Sequence, residues 1–107
     1  TVNKKLSIDE NLYQDLTELS NSTYDASISK LVNAAIEDLI TTKNVALYKK
    51  ENTNQVSRSF LIREDFLNGL YELKENYSVS INSLVNIAIR NAVTEEKMES
   101  EGLDKLN

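Results

Sequence analysis

Two short segments of the chain place polar side chains at every second residue. Amide, ammonium and hydroxyl groups at this spacing can recognise a ligand through hydrogen bonds from one face of an extended strand. Such a row of side chains either contacts a ligand or forms an ordinary solvated face. The first segment carries Asn3, Lys5 and Ser7, and the second carries Ser57, Ser59 and, as an apolar last member, Leu61.

Groups suited to catalysis are scarce in this chain. It contains no cysteine and no histidine, which excludes the usual zinc, thiolate and imidazole chemistries. Carboxylates such as Glu10 and Asp15, or Glu95 and Glu96, fall at solvent-facing positions, and no P-loop or nucleophile–base pair appears. We therefore expect the protein to be neither an enzyme nor a carrier of a cofactor or metal.

The composition indicates one small domain. The 107 residues, 40% of them hydrophobic, can bury a single core. No apolar run approaches the length of a membrane span, and the absence of cysteine fits a reducing compartment, so we expect a cytoplasmic protein with no membrane partner. The chain begins at Thr1 without a methionine, and we expect it to be trimmed or processed, with upstream residues missing.

Charge is distributed unevenly along the chain. The net charge of −5 argues mildly against a nucleic-acid partner. Residues 1–8, however, carry Lys4 and Lys5 without an acid, and residues 56–63 carry Arg58 and Arg63 without an acid. The two segments with alternating polar side chains are therefore locally positive on an acidic body.

The sequence contains an internal repeat. Residues 24–36 and 77–89 are identical at eight of thirteen positions, including Asn33 and Asn86. A unit of about forty residues is too small to bury its own core, so we expect the two copies to complete each other as a dimer folded from one polypeptide. Asn33 and Asn86 either hydrogen-bond across the axis between the copies or face a polar seam, and we favour a structural role.

Each repeat is predicted to begin with a strand. Apolar residues of one parity predict strands over Val2–Ile8 and Val56–Ile62. Lys4 and Arg58 fall on the strand faces that are predicted to be buried, so burial must fade toward the strand starts. The residues expected on the buried face are Leu6, Ile8, Phe60 and Ile62.

Two helices are predicted to follow each strand. The first has apolar residues at i, i+4 and i+7, and Asp9 can cap it in the first repeat, whereas Arg63 cannot in the second. The second helix is longer and opens at Ser27 or Ser80, which are good N-caps. The shorter helices use Leu12, Leu16 and Leu19, then Phe66, Leu70 and Leu73; the longer ones use Ile28, Leu31, Val32, Ala35, Ile36 and Leu39, then Ile81, Leu84, Val85, Ala88, Ile89 and Ala92.

These patterns divide the single domain 1–107 into four parts. The first repeat covers 2–40, a linker covers 41–55, the second repeat covers 56–93 and a tail covers 94–107. The linker is polar, and part of it is expected to prolong the helix as far as Lys50 before a connection. The tail is acidic and is predicted to be disordered.

The motif that leads from strand to helix resembles a known family. Leu6-Ser7-Ile8-Asp9-Glu10-Asn11-Leu12, followed by Ser27-x-Ser29-x-Leu31-Val32-Asn33-x-Ala35-Ile36, resembles the ribbon-helix-helix (Arc/MetJ-like) family of DNA-binding proteins. The second repeat matches from Phe60 to Phe66 and from Ser80 to Ile89. The tandem form is similar to TraY-like accessory proteins of plasmid conjugation. The resemblance implies a mainly α fold, in which a short two-stranded antiparallel ribbon enters the DNA major groove and the chain forms an intramolecular pseudo-dimer.

The resemblance implies base contacts from the outward face of the ribbon. Lys5 can donate to guanine O6 and N7, Asn3 can bridge adenine N6 and N7, and the serines suit either purine. Leu61 is apolar where the family usually carries a polar reader, so it either packs on a thymine methyl or indicates a strand that reads little. The expected base contacts are Asn3, Lys5, Ser7, Ser57, Ser59 and Leu61.

Phosphate contacts are the second feature that the resemblance implies. The start of each long helix offers free backbone N–H groups and the positive end of the helix dipole, although Ser27 and Ser80 could equally serve only as caps. The expected phosphate contacts are Lys4, Arg58, Ser27, Ile28, Ser29, Ser80, Ile81 and Asn82.

The implied function is sequence-specific binding of double-stranded DNA at an asymmetric site, with further copies of the chain on adjacent sites. Such a protein acts as a relaxosome accessory protein at a transfer origin, with a relaxase among its partners, or as a transcriptional repressor. The alternative is an antitoxin-like interaction module that binds a protein through the acidic C-terminal tail.

Overall fold

A computed structural model describes residues 1–22, 27–46 and 54–106 of the chain. The predicted fold class is confirmed at the level of a mainly helical protein with one two-stranded antiparallel sheet. Both strands are one residue longer than predicted, at Asp9 and at Gln55. The elements are β1 (Val2–Asp9), α1 (Glu10–Ser22), α2 (Ile28–Thr42), β2 (Gln55–Ile62), α3 (Glu64–Tyr77) and α4 (Ile81–Leu106).

The ribbon pairs along its whole length. Its register runs from Val2 opposite Ile62 to Asp9 opposite Gln55, as the antiparallel alignment of the two segments predicted. The four apolar residues expected on the inner face are all buried. Lys4 is half-buried and Arg58 is exposed, so burial fades toward the strand starts as expected. The ribbon therefore covers the helices with one face and presents the other to solvent.

The two long helices begin where their serines predicted. The Ser27 hydroxyl accepts a hydrogen bond from the Lys30 N–H at 3.2 Å, and the Ser80 hydroxyl accepts one from the Ser83 N–H at 3.2 Å. Arg63 occupies the N-cap of α3 without a side-chain cap bond, as expected. Asp9, the expected cap of α1, is buried as the last residue of β1, and its carboxylate accepts from Gln55 Nε2 at 3.2 Å.

The predicted helix ends need correction. α2 does not continue through the described part of the linker 41–55. Lys43 adopts a left-handed conformation (φ 56°), and the helix ends after Thr42. The remainder of the expected extension, 47–50, lies outside the described residues. The tail 94–107 was predicted to be disordered, whereas α4 continues to Leu106. Glutamate, lysine and methionine, which dominate this segment, are good helix formers and outweigh its glycine.

The helices form one hydrophobic core beneath the ribbon. The stripes predicted for α2 and α4 each supply four of its buried residues, with Ile28, Leu31, Ile81 and Ala92 half-buried at their margins. Three buried hydrophobic residues of the helices, Leu67, Ile87 and Val93, fall outside the predicted stripes. Leu67 (8% exposed) takes the place in α3 that Phe66 was expected to fill, and Ile87 (1% exposed) widens the buried face of α4.

Asn33 and Asn86 fasten the ribbon to the long helices. Asn86 Oδ1 accepts from the Asp9 N–H at 2.8 Å, and its Nδ2 donates to the Ser7 carbonyl at 2.9 Å. Asn33 Oδ1 accepts from the Arg63 N–H at 3.0 Å, and its Nδ2 donates to the Leu61 carbonyl at 2.7 Å. Each long helix therefore holds the strand of the other repeat, which confirms a structural role for both amides.

Candidate functional site

The structure brings the six expected base-contact residues together on one surface. Directly opposed residues of an antiparallel ribbon project from the same face. Five of the six side chains are exposed, and that of Ser7 is half-buried. We call this surface the outer ribbon face. It consists of three cross-strand pairs, Asn3 with Leu61, Lys5 with Ser59, and Ser7 with Ser57.

The three pairs of the outer ribbon face differ in chemistry. The central pair joins the Lys5 ammonium group to the Ser59 hydroxyl. One end of the face carries an amide beside an apolar side chain, and the other end carries two hydroxyls. None of the six side chains is acidic, so this face can donate hydrogen bonds to an electron-rich ligand without repelling it. Because the two ends differ, such a ligand would be read in one direction.

Lys4 and Arg58 lie on the side of the ribbon that faces the helices. Lys4 pairs with Phe60, and Arg58 pairs with Leu6. The Arg58 guanidinium lies 5.2 Å from the centre of the Tyr13 ring and donates to the Ser57 carbonyl at 2.8 Å. This stacking on α1 holds the charge at the flank of the ribbon and not on its outer face.

The starts of the two long helices lie beside opposite ends of the ribbon. Asn33 Nδ2 donates to both the Ser29 carbonyl in α2 and the Leu61 carbonyl in β2, each at 2.7 Å. Asn86 Nδ2 links Asn82 and Ser7 in the same way, at 2.7 and 2.9 Å. The first N–H groups of a helix have no acceptor within it, so each ribbon end is flanked by free donors.

The expected phosphate contacts at these helix starts do not all remain available. The Ser27 and Ser80 hydroxyls accept the capping bonds, which leaves each hydroxyl its own O–H to donate, and that of Ser80 lies 3.0 Å from the Ser83 hydroxyl oxygen. The N–H groups of the residues that follow each serine can also serve a ligand. The Asn82 side chain accepts a hydrogen bond from the Ser7 N–H at 3.2 Å, which fixes it to the ribbon. Ile28 and Ser29 are the first two residues of α2, and Ile81 is the first residue of α4.

Two basic residues that were not among the expected contacts, Lys30 and Arg63, lie near the site. Both line an open groove of about 400 Å³ beside Leu61, together with Asn33, Ala34 and Phe66 among others. Lys30 is exposed in the first turn of α2. The Arg63 guanidinium stacks on the Phe66 ring at 4.5 Å and pairs with the Asp65 carboxylate at 2.8 Å. Lys30 directly follows Ser29, an expected phosphate contact, and this position could have identified Lys30 from the sequence.

Basic residues are more numerous at the Leu61 end of the ribbon, where Asp65 pairs with Arg63 and Glu37 lines the same groove. In the alignment of the two repeats, Lys30 corresponds to Ser83 and Arg63 corresponds to Asp9. The Leu61 end thus carries two cations where the Ser7 end carries a hydroxyl and a buried carboxylate. The two ends of the site differ in charge as well as in the residues of the outer ribbon face.

Comparisons of this chain with protein-family models, with curated proteins and with solved structures find no match. The functional assignment therefore depends on the residues and the geometry described above. Within the described parts of the chain, none of the helices combines the length and the apolar character that crossing a membrane requires.

Proposed function

We propose that this chain is a sequence-specific DNA-binding protein that inserts its ribbon into the major groove of double-stranded DNA. The observation that carries the proposal is the outer ribbon face, on which six side chains form three pairs and none is acidic. A two-stranded ribbon fits the width of the B-DNA major groove, and amide, ammonium and hydroxyl groups match the acceptors and donors of base edges. The flanking helix starts supply N–H groups for phosphates.

We also propose that the chain is a tandem ribbon-helix-helix protein in which the two repeats form an intramolecular pseudo-dimer. Support comes from the repeated sequence, from the antiparallel pairing of the two strands, and from the crossed hydrogen bonds of Asn33 and Asn86. Each repeat contributes one strand to the ribbon and one asparagine side chain that binds the strand of the other repeat. Each repeat is therefore incomplete without the other.

The proposed DNA site is asymmetric, because the two strands present different side chains. A single ribbon reads only a few base pairs, so further copies of the protein would occupy adjacent sites. Two biological roles use this chemistry: a relaxosome accessory protein that meets a relaxase at a transfer origin, and a transcriptional repressor. The resemblance of the tandem form to conjugation accessory proteins supports the first role by analogy.

A binding selection from a random duplex pool at low salt tests the proposal. We expect enrichment of a short motif that does not read the same on both strands. Enrichment of a palindrome would contradict the asymmetric mode, and no enrichment at any salt concentration would contradict DNA recognition itself.

The salt dependence of DNA binding should be shallow. The acidic body limits the number of phosphates that one molecule can neutralise, and the exposed cations near the ribbon are few. We expect the plot of log affinity against log salt concentration to correspond to fewer than about eight phosphates per bound molecule. Fluorescence anisotropy titrations over a series of salt concentrations measure this slope, and a slope equal to or above that value would contradict the prediction.

One observation favours a second function, an antitoxin-like module that binds a partner protein. α4 continues to Leu106, so the acidic C-terminal segment forms a helix that a partner could bind. Deletion of residues 95–107 separates the two functions. A DNA-binding protein should retain its affinity within about twofold, because the deleted segment follows the residues that contact the ribbon. An antitoxin-like module should lose its partner in a co-purification assay.

A further inference from the structure

The pair Asn3–Leu61 marks one end of the outer ribbon face with a combination that the other end lacks. Leu61 is 54% exposed, and it is the one large apolar side chain among the six residues of this face. A single exposed leucine is common on protein surfaces. This one, however, is fixed in position, because the amide of Asn33 holds its carbonyl at 2.7 Å and its neighbours in β2 pair with β1.

We infer that Asn3 and Leu61 jointly select one A·T base pair at that end of the DNA site, an inference that rests on the proposed function. Asn3 binds adenine through N6 and N7, and Leu61 packs on the C5 methyl of the thymine opposite. The adenine N6 and N7 and the thymine methyl belong to the two bases of one A·T pair, and all of them face the major groove. Directly opposed residues of a ribbon have Cβ atoms only about 5 Å apart, so one cross-strand pair can meet both halves.

The same pair of residues disfavours a G·C base pair. A G·C pair lacks the methyl group and places the N4 amino group of cytosine in the major groove. Leucine would remove that donor from water without accepting its hydrogen bond, which is unfavourable. At the other end of the face, Ser7 and Ser57 provide only hydroxyls, which suit several bases. The Asn3–Leu61 pair therefore also sets the direction in which the chain lies on the duplex.

Single-atom changes in the DNA test this inference. Starting from the duplex that the wild-type protein selects, each thymidine is replaced in turn by deoxyuridine, which removes only the C5 methyl. We expect one position at which this change weakens wild-type binding about fourfold, the effect of exposing one buried methyl group. Leu61→Ala should bind the unmodified duplex about fourfold more weakly and should show no further loss with deoxyuridine at that position.

A second modification tests the partner residue. Replacing the adenine of the same base pair with 7-deazaadenine removes the N7 acceptor. This change should weaken the binding of the wild type and of Leu61→Ala, whereas Asn3→Ala should be insensitive to it. Tyr71→Ala is the matched control, because Tyr71 is 42% exposed on α3, away from the ribbon, and this variant should keep both wild-type responses.

The outcomes separate this inference from the function on which it rests. If the wild type binds a selected duplex but no thymine responds to deoxyuridine, the inference is overturned and DNA recognition stands. The inference is also overturned if Leu61→Ala remains sensitive to deoxyuridine at the responding position. A wild-type protein that selects no duplex overturns the proposed function itself.

Discussion

Asn86→Ala should lower the free energy of unfolding by about 3 kcal/mol. Asn86 is 3% exposed, and its amide accepts from the Asp9 N–H and donates to the carbonyls of Ser7 and Asn82. Alanine leaves the buried Asp9 N–H without its acceptor and removes two of the hydrogen bonds between β1 and α4. The loss should be measured by urea denaturation followed by circular dichroism.

Asn33→Ala is the matched control for this prediction. Asn33 makes the same set of bonds to the other strand, but those to Leu61 and Arg63 are exposed to solvent. Water can replace the lost partner there, so we expect a loss of about 1 kcal/mol. Equal losses in the two variants, or a larger loss for Asn33→Ala, would contradict the assignment of Asn86 as the buried fastener of the ribbon.

Lys5→Ala should weaken specific DNA binding by about 1–3 kcal/mol, the usual contribution of one good base contact. Lys5 is exposed at the centre of the outer ribbon face, opposite Ser59, where a base edge would be enclosed on both sides. Its ammonium group is the only charged group among the six side chains of that face. Isothermal titration calorimetry with the selected duplex measures the loss.

Lys74→Ala controls for the removal of one positive charge. Lys74 is exposed in the last turn of α3, about 15 Å along that helix from its start at the ribbon. A change there should leave affinity within about twofold, because charges beyond a Debye length are largely screened at physiological salt. If both lysine variants lost the same affinity, net charge rather than the ribbon would govern binding.

The sequence predicted the ribbon and the helical core because both depend on periodicity. Alternation of period two indicated the strands and their inner faces, and the two apolar stripes indicated the long helices. The ends of the helices were harder to predict from the sequence. Lys43 ends α2 in a left-handed conformation that glycine usually adopts, so no residue type signalled the end. Leu67 is buried in the core, and Phe66 is half-buried at its margin, where its ring contacts the Arg63 guanidinium.

The site could be predicted in part from the same alternation. All six residues of the outer ribbon face were identified from parity alone, because a strand with one buried face must expose the other. Their division into three pairs depended on the strand register. The roles of Lys30 and Arg63 at one ribbon end required the packing of α2 against β2, which residue spacing does not specify. The repetition of Asn33 and Asn86 signalled importance, but their crossed partners became evident only in three dimensions.

The most direct test of the ribbon as a DNA reader compares two selections from one random duplex pool, with the wild type and with Lys5→Ala. We expect the wild type to enrich an asymmetric motif, and the variant to lose base preference at one position near the centre of that motif while keeping the others. An identical motif from both proteins, a motif weakened equally at every position, or no enrichment with the wild type would contradict the proposal.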